Sequence, residues 1–198
     1  MTNQEIISMG DAYVMPTYGR FPVAFEKGQG ATLTDFDGKT YVDFASGIGV
    51  NSLGYGYTPW VQAVSRQAAA LQHISNLYYS APMAQVAKTL TERTGMADVF
   101  FANGGGESNE GMIKLARKYS FDKYGMGRST IVTLRQSFHG RTISTLAATG
   151  QDVFHNYFFP FTQGFTYAVA NDVESVKAAC TPDVCAVMME LIQGEGGV

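Results

Sequence analysis

Three short segments carry residue types that could do chemistry together. The first is Asn103-Gly104-Gly105-Gly106-Glu107-Ser108-Asn109-Glu110. Three glycines let a ligand approach the backbone, and the helix expected after them offers unpaired N–H groups and the positive end of its dipole. That combination suits a phosphate; a plain strand-to-helix turn with acidic residues in the first helical turn suits it equally well. The second is Ser137-Phe138-His139-Gly140-Arg141-Thr142. Here a phenyl ring could stack on a planar group, and an arginine could grip a carboxylate through two parallel hydrogen bonds. A core phenylalanine and a solvated arginine are the plainer reading, and His139 reads better as structural support. The third is Glu190-Leu191-Ile192-Gln193-Gly194-Glu195-Gly196-Gly197. Its two carboxylates could do acid–base work or pair with cations, or could be ordinary loop carboxylates.

Several other chemistries are excluded by spacing. The dinucleotide pattern needs glycine where Asn109 stands, and Gly38-Lys39-Thr40 has Leu33 where a phosphate-loop motif needs its first glycine. No glycine pattern of a nucleophile elbow surrounds any serine. His73, His139 and His155 share no ligand spacing with each other or with Cys180 and Cys185, so no metal is expected. The two cysteines read as reduced thiols.

The elements around these segments follow from periodicity. A helix is expected over residues 1 to about 15, then short β runs at Val23–Phe25, Ala31–Phe36 and Tyr41–Phe44. Asp37-Gly38 supplies the hairpin turn in this small antiparallel meander. Thr58-Pro59 should open a helix with Thr58 as its cap and Val61, Val64, Ala68 and Leu71 on its apolar face. A second helix should run from Pro82 to about Arg93, ended by Gly95. Val99–Phe101, Ile131–Leu134 and Val184–Met189 read as strands. Glu107–Tyr124, Thr142–Ala148 and Asp172–Ala179 read as helices, the first with Met112, Leu115, Ala116 and Tyr119 on one side, the last capped by Asn171 or Asp172. Strands alternating with helices imply an α/β fold with a mostly parallel sheet and flanking helices. The expected division is a small segment over residues 1–45 and an α/β body over 46–198.

Composition narrows the partners. The 198 residues are 45% hydrophobic and 16% charged, which argues for a chain that buries much of itself. A net charge of -3 without a Lys/Arg run leaves no field for a nucleic-acid backbone. Neither a signal-like start nor an apolar stretch long enough for a bilayer is present, so a cytoplasmic protein is expected.

Taken in order, these segments resemble the class III aminotransferases, a branch of fold-type I pyridoxal-phosphate enzymes, and most of all the acetylornithine and ornithine group. The resemblance extends through Tyr18-Gly19-Arg20-Phe21-Pro22-Val23, Asp35-Phe36-Asp37-Gly38, Gly49-Val50-Asn51-Ser52-Leu53-Gly54, Lys114–Tyr119, Phe138–Thr142 and Ile192-Gln193-Gly194-Glu195. It implies pyridoxal 5'-phosphate as cofactor. Gly105 and Gly106 would hold its phosphate, Phe138 would stack on its ring and Glu190 would lie beside it. Arg141 would bind the substrate α-carboxylate, Glu195 would sit near the substrate, and Tyr18 near the entrance.

The resemblance further implies amino transfer from N-acetylornithine, ornithine or a similar ω-amino acid to 2-oxoglutarate, by a homodimer or larger assembly. It places the Schiff-base lysine, and the aspartate that pairs with the pyridine nitrogen, beyond residue 198. None of Lys27, Lys39, Lys88, Lys114, Lys118, Lys123 and Lys177 matches that lysine, so a truncated chain without catalytic activity is the alternative expectation. A different fold-type I pyridoxal-phosphate enzyme is another. Three departures stand out: Gly104 where the family usually has Ser, Leu191 where it has Pro, and Tyr57-Thr58-Pro59 in place of His-Pro.

Overall fold

The computed structural model describes residues 1–197. They form two compact units, Met1–Ala84 and the residues from Gln85 onward.

The first unit opens with α1 (Asn3–Tyr13). Thr2 caps it: its hydroxyl accepts the Glu5 amide while the Glu5 side chain accepts the Thr2 amide. Three antiparallel strands follow: β1 (Phe25–Gln29), β2 (Thr32–Asp35) and β3 (Thr40–Val42). Asp35 is the staple of this meander. It is buried, and its carboxylate accepts the amides of Asp37 and Lys39 and the hydroxyl of Tyr41. Asn3 joins the helix start to the same place, donating to Asp37 and accepting the Ala24 amide. The meander thus forms where its turn chemistry predicts, with the ends of β2 and β3 shifted by a residue or two, whereas β1 begins at Phe25, where the expected run ends, and continues to Gln29.

Next come α2 (Thr58–Ala70) and α3 (Ala81–Thr94), the latter continuing into the second unit. Tyr57 takes the cap position expected of Thr58, and Pro59 falls one position later in the first turn. The apolar face of α2 is present but not buried among the described residues; Val61, Val64 and Leu71 are all exposed.

The second unit is the α/β body. It comprises α4 (Gly105–Tyr124), β4 (Thr130–Leu134), α5 (Ile143–Ala148), β5 (Phe165–Ala168), α6 (Val173–Ala179) and β6 (Val184–Val187). The strands are parallel in the order β5-β4-β6. Central β4 is buried on both faces, as strand alternation between two helical layers requires. Val132 and Leu134 pack with Ala168 and Val184 and against Val176 and Ala179 of α6. Leu146, Ala147 and Ala148 of α5 are buried as well.

Two expectations are corrected here. Val99–Phe101 forms no strand: it has no ladder partner among the described residues, and Phe100 and Phe101 are exposed. An apolar run becomes a strand only when a neighbour takes its backbone groups. On α4 the buried positions are Ile113 and Ser120, whereas Met112, Leu115 and Tyr119 are exposed.

Candidate functional site

The glycine loop opens α4 directly. Gly104 is its extended N-cap, and Gly105 and Gly106 are the first two helical residues, so the helix begins two positions before the expected Glu107. No side chain caps this end. The first amides of a helix lack intrahelical partners, so those of Gly105, Gly106 and Glu107 are donors without an acceptor in their own helix. A Cβ added at Gly104 or Gly105 would meet nothing within 4 Å, which leaves the approach open. Glu107 is turned back to Asn103: its carboxylate accepts the Asn103 amide at 2.9 Å and the side-chain Nδ2 at 2.9 Å. Those bonds, the backbone one foremost, hold its pKa below the usual carboxylate value.

The second segment lies against this helix start. It leaves the carboxyl end of β4, the edge where open α/β sheets bind ligands. Gly140 has φ +128, and a Cβ there would sit 3.0 Å from the Gly106 Cα and 2.7 Å from the Thr145 hydroxyl. Only glycine permits that approach. Asn109 Nδ2 donates to the His139 carbonyl at 2.7 Å, and the Thr142 hydroxyl donates to Glu110 Oε1 at 2.5 Å. Thr142 also caps α5.

Glu190 arrives from the end of β6 and accepts the Phe138 amide at 3.0 Å. The Phe138 ring meets Phe154 edge-on at 6.1 Å, and the Arg141 guanidinium lies 5.7 Å from its centroid. Beside Phe138 and Glu190 is a cavity of about 360 Å³, walled by Met112, Ile113, Ile131 and Val187. His139 lines it too, buried, with Nε2 lacking a hydrogen-bond partner among the described residues. Burial pushes the His139 pKa down against the opposing pull of the Glu190 charge, which favours the neutral ring.

Gly105, Gly106, Phe138, Arg141 and Glu190 are therefore gathered at one end of the parallel sheet. Glu195 follows on the exposed turn after Gln193, whose buried side chain donates to the Arg135 carbonyl. Tyr18 belongs to the other unit, where it is exposed. Asn109 and Glu110 lie inside the glycine-loop motif but carry no role in the sequence reading. The signal that could have marked them is their i+4 spacing from Gly105 and Gly106.

Residues 13–198 match the family described as aminotransferase class III. The chain belongs to this family. It is 54% identical to the acetylornithine aminotransferase of Haemophilus ducreyi over 100% of its own length and 51% of that protein's. The Methanocaldococcus jannaschii acetylornithine aminotransferase is 42% identical, with 50% of its length covered. Among solved structures, an ornithine aminotransferase from Toxoplasma gondii, described with partial occupancy of PLP at its active site, superposes with a TM-score of 0.93 at 30% identity; all of this chain and 47% of that one are covered. The acetylornithine aminotransferase from Elizabethkingia anophelis gives a TM-score of 0.82 at 28% identity, covering 100% and 49%. The chain thus spans about half the length of the class III relatives it matches.

Pyridoxal 5'-phosphate is the cofactor this family implies, and the residues present fit it. An uncapped helix start with open glycines suits the phosphate, and an aromatic ring beside an apolar cavity suits the planar heterocycle.

Proposed function

We propose that this chain supplies the amino-terminal part of a pyridoxal-phosphate-dependent aminotransferase acting on N-acetylornithine, ornithine or a similar ω-amino acid, with 2-oxoglutarate as the amino acceptor. The observation that carries the reading is the approach of Gly140 to Gly106, which puts an anion-binding helix start and an aromatic–arginine loop into one site.

In this reading the amides of Gly105 and Gly106 take the cofactor phosphate. Phe138 would stack on the cofactor ring, its own ring held edge-on by Phe154 and its amide bound by Glu190. When bound, the cofactor serves as the electron sink for the reacting amino acid. Arg141 orients the substrate by holding its α-carboxylate, a role suited to a planar guanidinium. Glu195 sits near the substrate, where it would modulate an arginine further along the chain. No metal takes part. The working form is a homodimer or larger assembly in the cytoplasm. Identity of 54% to an acetylornithine aminotransferase supports that substrate class.

A second reading concerns the 198 residues alone: they bind the phosphate or the whole cofactor weakly and transfer no amino group. It is favoured by the coverage of only half of each relative. The two readings are compatible, and borohydride reduction of the chain with pyridoxal phosphate, followed by mass mapping of the lysines, tests the second. Scattered labelling over the seven lysines, with no amino exchange to 2-oxoglutarate, supports the second reading. A single labelled lysine with exchange activity refutes it.

A further inference from the structure

Resting on the cofactor site above, we propose that Asn109 and Glu110 are positioning residues that clamp the loop carrying Phe138 and Arg141 to the phosphate-binding start of α4. The clamp fixes the spacing between the anion site and the stacking ring.

The argument begins with helical geometry. Residues four apart stand on one face of a helix, so Gly105 and Asn109 share a face, as do Gly106 and Glu110. The first pair position has no side chain, which admits the loop to backbone contact at Gly106. One turn later the same face carries two polar grips. Asn109 Nδ2 donates to the His139 carbonyl, and Glu110 accepts from the Thr142 hydroxyl. These two bonds bracket Gly140 and Arg141 on both sides.

Proton accounting gives the second grip a direction. An ionised carboxylate only accepts, so the single Thr142 hydroxyl proton goes to Glu110. The Thr145 hydroxyl, 2.6 Å from the Thr142 oxygen, must then donate to it. A directed chain therefore runs from Thr145 through Thr142 to Glu110, and a bond to a charged acceptor is among the stronger ones. The same hydroxyl of Thr142 caps α5. Displacing Glu110 thus removes one of the two grips on α4 while leaving α5 its cap. The plain alternative is that both side chains stabilise the fold without setting the site.

Four variants of the chain test the proposal: Asn109→Asp, Asn109→Ala, Glu110→Ala and Glu110→Gln. Asn109→Asp is nearly isosteric yet sets an oxygen against the His139 carbonyl, whereas Glu110→Gln keeps an acceptor for Thr142. Amide hydrogen exchange is measured first, because it needs no ligand. The clamp requires Asn109→Asp, Asn109→Ala and Glu110→Ala to speed exchange in both 108–111, where the helical amides of α4 first find acceptors, and 138–142, while β5 and β6 stay protected. Glu110→Gln should remain close to the parent. Unchanged exchange in those segments, or equal acceleration throughout the unit, overturns the clamp whatever the chain binds.

Affinities for pyridoxal phosphate, pyridoxal and inorganic phosphate are then compared. The expected loss for pyridoxal phosphate in the three disruptive variants is roughly tenfold, with inorganic phosphate nearly unaffected. Parallel loss for all three ligands marks a merely structural role and overturns the proposal. If the parent chain holds pyridoxal phosphate no better than pyridoxal, the cofactor reading of the site fails, and the exchange result still decides the clamp.

Discussion

Two glycines at the site ask opposite things of their surroundings. Gly104 is extended, with φ -168, a backbone any residue adopts, and a Cβ there meets nothing within 4 Å. Gly104→Ser should therefore be accommodated, and its hydroxyl can accept one of the orphan amides of α4. We expect a gain of a few tenths of a kcal/mol in urea denaturation, the usual difference between Ser and Gly caps. A loss of stability would show that the helix start is closed by something besides its own backbone. Gly140 is the reverse case. Its φ of +128 is unfavourable for any L side chain, and a Cβ would press on the Thr145 hydroxyl and the Gly106 Cα. Gly140→Ala should cost roughly 1–3 kcal/mol and weaken binding of inorganic phosphate at the same time. Loss of stability with unaltered phosphate binding would separate this loop from the anion site.

At the scale of elements, some contacts were legible in the sequence and others were not. The Asp37-Gly38 turn and the Asp172 cap are local patterns, and both formed where read. Val99–Phe101 failed because a strand depends on a partner that its own residues do not encode. The grips at Asn109 and Glu110 were invisible for a related reason: their partners lie about thirty residues away in the chain. Gly150 shows how sharp such distant demands can be. It lies beside Arg135 in a parallel bridge, and a Cβ would stand 2.1 Å from the Leu134 carbonyl oxygen. Backbone cannot yield as a side-chain tip can, so Gly150→Ala should cost more than ~3 kcal/mol and abolish the cooperative melting of the β4 sheet. A melting curve like the parent's would mean that the loop relocates freely. Asp35 makes the corresponding claim for the meander. Burial raises its pKa, but the bonds from Asn3, Lys39, Tyr41 and Asp37 outweigh that and leave it lowered. A carboxyl with a depressed folded pKa stabilises fully above its unfolded value of about 3.9, and this is lost as pH falls through the folded value. Asp35→Asn should flatten that acid limb in the first unit's melting; an unaltered limb would mean that other carboxylates carry it.

For the molecule as a whole, the arithmetic of apolar surface is the central problem. Phe44, Ile48, Tyr79 and Leu191 are each more than 90% exposed, and Phe21, Val50 and Leu77 are above 80%. Single exposed apolar side chains are ordinary, but so many large ones lead us to expect association with another polypeptide. The relatives it matches are about twice as long as the part this chain covers, which makes their remaining halves one candidate cover. When only copies of this chain are in solution, they must cover one another. We expect sedimentation at micromolar concentration to give a mass above that of one chain. Because apolar association is weakly sensitive to salt and weakens on cooling, the heavier species should persist in 1 M sodium chloride and decline in the cold. An association that salt dissolves would trace to charge, and a monomer at all concentrations would show that these side chains tolerate water. Adding the second half of the Haemophilus ducreyi relative as a separate polypeptide makes the decisive comparison. If apolar burial drives the self-association, the two halves should pair one to one and the homo-oligomer should disappear. A homo-oligomer that survives an excess of that half would instead place self-association on a different surface from the one the longer chains cover.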